Sequence, residues 1–390
     1  MADRDVDVLI VGAGAAGSAC AEALARDRSF SGSVLLAGRE LDPPYDRPPV
    51  SKDYLRGETA REDTFLRAAK DVELLTRTSV MKLDAGGRTA KLSTKEEVGY
   101  GAAVLCTGAL VRRLRVPGSD LEGIHYLRAL GNADAIRRDA EQGERAVLIG
   151  GSYIACEVAA SLTMLGKRCT MVMLEDAPLT THFGPTVAAW VAAHLRSRGV
   201  ELVCGDPLAG FEGEGRVARA LTESGRAVDA DLVVMGTGAL PDVMLARSSG
   251  LELGETGGVA CSSSLATSAH GVWAAGDSCE YDSVLHGRRV RIEHWDVARA
   301  QGRAAAAAVA GRPADFAEVP YFWCDLGDSA KLEWVGLAEE WDREEVVGSV
   351  ADDAFAIRYL SGDRLVAALS VGRPEDLMAA REELAGAAAR

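Results

Sequence analysis

The chain has 390 residues, a formal net charge of −15 and 48% hydrophobic residues. Such a length exceeds what one hydrophobic core usually serves, so we expect two or three domains. The acidic balance argues against a nucleic-acid partner, because phosphate backbones require a basic protein face. No run of 18 apolar residues occurs, and residues 1–5 lead directly into a predicted strand, so we expect a cytoplasmic protein without a membrane partner. The eight cysteines form no C-x-x-C pair and no zinc-like cluster, and no metal site is expected.

Strand and helix signals alternate through the first part of the chain. Residues 6–11 and 33–37 predict strands on either side of a small-residue helix at 14–26, and a proline-rich loop follows at 42–49. A strand at 101–106 ends at Thr107-Gly108, and 113–120 is typical of a linker. The pattern then repeats, with predicted helices at 131–140, 153–165 and 184–198 and strands at 145–149, 169–174 and 231–235. This repeat is an internal duplication of architecture.

The last part of the chain has a different pattern. An alanine-rich helix is predicted at 296–310, and Gly311-Arg312-Pro313 ends it. Beyond it, β-type segments at 331–337, 344–348, 354–360 and 364–370 precede a final helix near 374–388. The sequence therefore predicts a separate small α+β domain at 313–390.

Two glycine-rich turns each follow an apolar strand and open a helix. The first glycine turn comprises Gly12, Ala13, Gly14, Ala15, Ala16 and Gly17, and the second comprises Gly150, Gly151, Ser152, Tyr153, Ile154 and Ala155. Such a turn presents backbone N–H groups and a helix N-terminus to a pyrophosphate. One copy alone is weak evidence for nucleotide binding, because glycine-rich turns are common. Two copies in this context imply two dinucleotides on one chain, one donating hydride and the other accepting it.

An acidic residue after the next strand usually binds the ribose of such a nucleotide. In the first unit the corresponding residue is Arg39, with Glu40 next. Either Glu40 substitutes for the acid, or Arg39 stacks on the adenine and the backbone supplies the rest. In the second unit Glu175 ends the strand and Asp176 follows, and two carboxylates would repel a 2′-phosphate. The predicted donor is therefore NADH.

The loop after the first unit indicates the acceptor. No cysteine occurs between Cys20 and Cys106, and the loop reads Tyr45-Asp46-Arg47-Pro48-Pro49-Val50-Ser51-Lys52. This loop resembles the signature of the oxygenase-coupled ferredoxin reductases, the family of putidaredoxin reductase and rubredoxin reductase to which apoptosis-inducing factor is related. Further motifs follow in family order: residues 106–109, 271–277, 293–295 and 320–323. The resemblance spans nearly the whole chain.

The resemblance implies an α/β fold of two Rossmann-like domains, as in glutathione reductase, with a small C-terminal α+β domain. It implies a discontinuous FAD-binding domain at 1–112 and 238–312 and an NAD-binding domain at 113–237. It also places several residues at the cofactors. The expected FAD contacts beyond the first glycine turn are Arg39, Glu40, Arg47, Lys52, Val80, Thr107, Gly108, Arg128, Gly276 and Asp277. The expected contacts with NADH beyond the second glycine turn are Glu157, Glu175, Gly238, Glu293, His294 and Trp295.

Three of these residues are the expected catalytic ones. Lys52 would lie beside the flavin ring, where a cation stabilises the electron density of reduced flavin. Glu157 would hold the nicotinamide carboxamide, and Trp295 would stack on the nicotinamide. For an isolated Glu or Trp, a surface or core position is the alternative.

The resemblance implies hydride transfer from NADH to FAD, then single-electron transfer to a ferredoxin-type iron–sulfur protein that feeds an oxygenase or a P450. The alternatives are an NADH-dependent flavin oxidase or small-molecule reductase, with Cys324 as a redox candidate, and an NADH-sensing protein like apoptosis-inducing factor. A monomer or a homodimer is expected. The basic run Arg288, Arg289 and Arg291 is a candidate ferredoxin-docking site, with a solvated hairpin as the alternative.

Overall fold

The three-dimensional structure is a computed structural model that describes residues 2–67 and 69–388. The strands, in chain order, are β1 Arg4–Val11, β2 Val34–Ala37, β3 Val72–Leu75, β4 Val80–Asp84, β5 Thr89–Leu92, β6 Glu97–Leu105, β7 Ala109–Val111, β8 Ile124–Tyr126, β9 Arg145–Ile149, β10 Arg168–Val172, β11 Glu201–Val203, β12 Leu208–Glu214, β13 Arg216–Thr222, β14 Ala227–Asp229, β15 Leu232–Met235, β16 Ala239–Pro241, β17 Val259–Cys261, β18 Val272–Ala274, β19 Cys279–Ser283, β20 Arg288–Arg291, β21 Tyr321–Asp325, β22 Lys331–Gly336, β23 Arg343–Ser349, β24 Ala354–Ser361 and β25 Arg364–Val371. The helices are α1 Ala15–Arg26, α2 Asp53–Arg56, α3 Leu130–Gln142, α4 Tyr153–Met164, α5 Thr180–Ser197, α6 Met244–Ser248, α7 Trp295–Val309 and α8 Pro374–Ala388. In the part of the chain described, no helix is long and apolar enough to cross a membrane.

The first sheet carries the first glycine turn at the end of β1. Its strand order is β3-β2-β1-β6-β5-β4, and β18 pairs with the second half of β6. Because β1 is parallel to β2 and β6, Val11 lies opposite both Ala37 and Leu105. The carboxyl ends of these strands therefore meet at one edge, which is where nucleotides bind in such sheets.

The chain returns to this first unit after the second one. Helix α7 packs against α1 so closely that a Cβ at Gly302 would overlap the backbone carbonyl of Ala16. Together with the pairing of β18 with β6, this contact supports the predicted discontinuous domain. The exact domain boundaries stay a prediction.

The second sheet repeats the parallel arrangement of the first, in the order β11-β10-β9-β15-β8. An antiparallel sheet of β12, β13 and β14 was not foreseen from the sequence. Its outward faces are exposed, so its segments lack the buried apolar pattern of the parallel strands. The helix predicted at 184–198 begins earlier, at Thr180, and bends at Gly184, which has a φ of 74° and precedes Pro185.

The third sheet is antiparallel, with the order β21-β22-β25-β24-β23, and α8 packs on β25. Its first strand, β21, lies in a segment for which the sequence had predicted no strand, and it reaches the cavity described below. The third sheet also packs on the second unit, since the buried Tyr359 hydroxyl donates to the carbonyl of Phe183 over 2.8 Å.

Candidate active site

One cavity of about 680 Å³ opens at the carboxyl edge of the first sheet. The predicted cofactor residues that line it are Gly12, Gly14, Ala15, Ala16, Arg39, Glu40, Arg47, Lys52, Val80, Thr107, Gly108, Arg128, Tyr153, Ile154, Glu157, Gly276, Asp277, Glu293 and Trp295. Residues far apart in the chain thus share one cavity, and residues that follow both glycine turns are among them.

The three glycines of the first glycine turn have different surroundings. Gly12 has a φ of 109°, and a Cβ there would overlap the backbone of Cys106. A Cβ at Gly17 would overlap the carbonyl of Gly12, so Gly17 serves the packing of α1 and does not line the cavity. A Cβ at Gly14 would meet no described atom within 4 Å. No protein contact therefore requires glycine at position 14, whereas a pyrophosphate approaching the start of α1 would.

An ion-pair network crosses the cavity wall behind the proline-rich loop. Arg47 pairs with Glu40 over 2.7 Å and donates to the carbonyl of Arg128. Arg128 pairs with Asp277 over 3.1 Å. Burial lowers the pKa of Arg47, but Tyr45 and Glu40 outweigh that effect and raise it. The Arg47 guanidinium therefore stays charged, as an anionic cofactor requires.

Lys52 is held by acids from two other parts of the fold. Its Nζ lies 3.2 Å from Glu157 Oε1 on α4 and 2.7 Å from Asp325 Oδ2 on β21. Glu157 also accepts hydrogen bonds from the Ser51 hydroxyl over 2.5 Å and from the Asp325 backbone N–H over 3.1 Å. Burial opposes the charge on Lys52, yet the carboxylates of Glu157 and Asp325 raise its pKa. Lys52 is therefore a fixed cation at the cavity wall.

Aromatic side chains close one side of the cavity. Trp295 begins α7, and Phe322 and Trp323 reach the cavity from β21. The Tyr153 ring packs edge-on against Phe322 with a centroid distance of 4.5 Å. His294, predicted as a cofactor contact, does not line the cavity: its ring packs on Phe322 at 4.9 Å. Burial lowers the pKa of His294 to about 4, so this imidazole is neutral at pH 7.

Gly150, Gly151 and Ser152 of the second glycine turn do not line this cavity, whereas Tyr153 and Ile154, which begin α4, do. A Cβ at Gly150 would crowd the carbonyl of Gly236, and the Ser152 hydroxyl accepts a hydrogen bond from the N–H of Ala155 at the start of α4. A Cβ at Gly151 would lie 3.5 Å from Oε2 of Glu175, so this carboxylate lies over the turn. Gly238, also predicted as a contact, does not line the cavity, and its carbonyl accepts from the N–H of Arg112 over 2.9 Å.

Several cavity residues were not predicted from the sequence. They include Ser51, Thr78, Asp242, Met244 and Leu245. Asp325 was missed as well, and it pairs with Lys52 from an unpredicted strand. Cys324 and Asp325 directly follow the motif at 320–323, so an acidic residue at that place is a signal that could have been used.

The basic run that is the candidate docking site forms ion pairs with acidic residues. Arg288 pairs with Glu339 over 2.9 Å and Arg289 with Asp282 over 2.9 Å, while Arg291 pairs with Glu293. The run therefore presents little unpaired positive charge to a partner.

Cys324, the redox candidate, is fully buried, and burial raises the pKa of its thiol well above the usual value. A buried neutral thiol is a poor nucleophile.

The families and relatives that match this chain cover nearly all of it. Residues 6–302 match the family described as pyridine nucleotide-disulphide oxidoreductase, and residues 321–389 match the reductase C-terminal family. Rhodocoxin reductase of Rhodococcus erythropolis is 33% identical over 386 residues, which cover 97% of this chain and 90% of the relative. Putidaredoxin reductase of Pseudomonas putida is 34% identical over 379 residues, which cover 94% of this chain and 89% of the relative.

A solved structure agrees with these relatives. The crystal structure of the covalent putidaredoxin reductase–putidaredoxin complex superposes with a TM-score of 0.92 at 33% identity, covering 99% of this chain and 94% of that one. Proteins of this family depend on FAD and NAD(P)H. The chain belongs to the pyridine nucleotide-disulphide oxidoreductase family, among the flavin-dependent ferredoxin reductases that carry a reductase C-terminal domain.

Proposed function

We propose that this chain is a cytoplasmic NADH-dependent flavoprotein reductase that reduces a ferredoxin-type iron–sulfur protein serving an oxygenase or a P450. One observation carries the proposal: residues that follow both glycine turns line a single cavity. Two dinucleotides bound to the two turns would therefore meet there, which a hydride transfer between them requires.

The residues present fit FAD in the first site. The side-chain-free surface of Gly14 suits the pyrophosphate, and Asp277 offers a carboxylate to sugar hydroxyls. Bound FAD would supply the redox chemistry, because a flavin accepts two electrons from a nicotinamide and releases them singly. Arg47 and Arg128 would balance the phosphate charge.

Lys52 and the aromatic residues Trp295, Phe322 and Trp323 would contact the flavin ring and the nicotinamide, which react with each other. Lys52 brings a positive charge that Glu157 and Asp325 hold in place, and its ammonium lies 5.5 Å from the centre of the Trp323 ring. Trp295, Phe322 and Trp323 line the same cavity with aromatic surface. The work of the protein is then positioning and electrostatics, since no nucleophile is needed.

Preference for NADH is supported by Glu175 and its neighbour Asp176. The Glu175 carboxylate lies over the second glycine turn, where the ribose of the donor would be. A carboxylate accepts hydrogen bonds from ribose hydroxyls and repels the 2′-phosphate of NADPH.

Two further observations support the partner and the compartment. Relatives at 30% identity or more include a rubredoxin-NAD(+) reductase, and a structural relative was solved in a complex with putidaredoxin. All eight cysteines are free, and seven of them are buried, which is typical of a reducing compartment.

The test uses the purified, yellow holoprotein with NADH and a bacterial ferredoxin. Cytochrome c reduction should depend on the added ferredoxin, and NADPH should replace NADH poorly. Hydrogen peroxide release is measured in parallel without ferredoxin. Rapid peroxide formation combined with no effect of ferredoxin would refute the proposal in favour of a flavin oxidase.

A further inference from the structure

The acid that usually binds the ribose of the first nucleotide is missing from its position. In Rossmann-type units this acid follows the second strand. Here β2 ends at Ala37, and Arg39 takes that position. Since Ala37 lies opposite Val11 of β1, Arg39 is beside the first glycine turn and lines the cavity. If a carboxylate binds the ribose hydroxyls in this chain, it comes from another position.

Glu40 is the nearer candidate in sequence, but it is already engaged. Its Oε1 accepts from Arg47 over 2.7 Å, and its Oε2 accepts from the Tyr45 hydroxyl over 2.6 Å. Both oxygens thus hold the proline-rich loop in place.

Asp242 reaches the cavity from a distant segment. The antiparallel ribbon of β7 and β16 pairs Ala109 with Pro241, and the next residue, Asp242, donates its N–H to the carbonyl of Gly108 over 2.8 Å. The Thr107 hydroxyl donates to the Asp242 carbonyl over 2.6 Å. These contacts fix the backbone of Asp242 beside two predicted FAD contacts.

The side chain of Asp242 is paired on one oxygen. Arg39 donates to its Oδ2 over 2.7 Å, and the Asp242 side chain is only 11% exposed, whereas that of Arg39 is 49% exposed. Among the described residues, none donates a hydrogen bond to Oδ1. Asp242 therefore offers one free acceptor oxygen at a wall of the cavity whose other members include Met244 and Leu245.

We propose that Asp242, oriented by Arg39, accepts hydrogen bonds from the adenosine ribose of FAD. In this chain the carboxylate follows the ribbon of β7 and β16 and not the end of β2. Arg39, which stands where the acid usually is, serves as the counterion of Asp242. Arg39 is a positioning residue, and Asp242 is the binding residue. This inference rests on the proposed FAD site.

The experiment measures FAD binding to the apoprotein by the quenching of flavin fluorescence, so no turnover is needed. Asp242→Ala should raise the Kd for FAD by about 10- to 100-fold, the usual loss for a hydrogen bond to a charged group. The matched control is Asp282→Ala, which removes the same side chain from an exposed pair with Arg289 outside the cavity. That control should change the Kd by less than about threefold, because exposed ion pairs contribute little.

A second ligand identifies the contact. FAD carrying 2′,3′-dideoxyadenosine lacks both ribose hydroxyls, so it should bind the wild type more weakly than FAD does. In Asp242→Ala the two forms should bind nearly alike, because the partner of the hydroxyls is already gone. If the two losses multiply instead, Asp242 does not contact the ribose, and the proposal is overturned. If Glu40→Gln abolishes the difference while Asp242→Ala does not, Glu40 is the ribose acid and the proposal is again overturned.

Two controls keep the outcomes separate. If wild-type apoprotein binds neither form, the FAD site itself is wrong, which is a failure of the proposed function. If Asp242→Ala does not fold by circular dichroism, Arg39→Ala carries the test, since Arg39 is half exposed. Without Arg39 the Asp242 carboxylate is no longer held in place, so the Kd of the dideoxy form should exceed that of FAD by a smaller factor than in the wild type. An unchanged factor would overturn the proposal.

Discussion

Replacing Lys52 with Met should destabilise the protein far more than removal of an ordinary surface lysine. Lys52 is 12% exposed and Glu157 is 6% exposed, and their charged atoms lie 3.2 Å apart. At an effective dielectric constant of about 20, two unit charges at this distance attract by about 5 kcal/mol. Desolvation offsets much of that attraction, but removing one partner leaves Glu157 buried without its cation. Such truncations cost about 3–5 kcal/mol.

Equilibrium urea unfolding of holoprotein, followed by tryptophan fluorescence, measures this loss. The matched control is Arg168→Met, whose pair with Glu144 is 73% and 79% exposed. Exposed pairs contribute about 0–1 kcal/mol, so this variant should stay close to wild type. Lys52→Met/Glu157→Gln should recover part of the stability, because it removes the uncompensated charge.

The pH dependence gives an independent readout of the same contact. Burial raises the pKa of Glu157 even with Lys52 present. Without Lys52 this pKa rises further, so the folded state binds more protons than the unfolded state above the usual carboxyl pKa. Stability then falls as the pH rises. The deficit of Lys52→Met should therefore be smaller at pH 5.5 than at pH 8. A deficit equal to that of Arg168→Met, or one that does not vary with pH, would refute the reasoning.

Three other outcomes are expected. Glu175→Ala combined with Asp176→Arg should shift the ratio of kcat/KM values toward NADPH, and equal use of both donors by the wild type would contradict the ribose assignment. Cys324→Ser should leave NADH–ferricyanide turnover within a few-fold of wild type, because a buried, protonated thiol is a poor nucleophile. Complete loss of turnover, with fold and FAD retained, would show that Cys324 takes part in the reaction. His294, whose pKa is about 4 when folded and about 6.5 when unfolded, should cost about 2 kcal/mol of stability between pH 7.5 and pH 5. His294→Phe should reduce that loss in thermal unfolding, whereas an unchanged pH profile would show that His294 titrates normally.

The local parts of the site could be predicted from the sequence. The first glycine turn and α1 follow from a short apolar strand and a run of small residues, and the predicted helix at 14–26 differs from α1 by one residue. The predicted return of the chain rested on the family resemblance, and the pairing of β18 with β6 supports it. The family resemblance also predicted that Lys52, Glu157 and Asp277 contact the cofactors, and all three line one cavity.

The partners of these residues could not be predicted in the same way. Asp242 meets Arg39, and Asp325 meets Lys52, only because separate segments fold onto the first sheet. The charge of a single segment does not show which carboxylate will neutralise it, as the paired Arg288, Arg289 and Arg291 demonstrate. The sequence likewise did not show that His294 and Trp295 have different roles. His294 packs on Phe322, whereas Trp295 lines the cavity.

The pairing of β18 with β6 has a consequence for synthesis on the ribosome. Val272 of β18 is made about 170 residues after Leu105 of β6, which takes roughly 8 to 35 s at ordinary elongation rates. During that time the second half of β6 exposes an unpaired edge, while the complete second unit has already emerged and can fold as an insertion. Gly276 and Asp277 come later still, just before α7 covers α1. Because Gly276 and Asp277 line the cavity, its wall is completed only after the whole second unit has been synthesised.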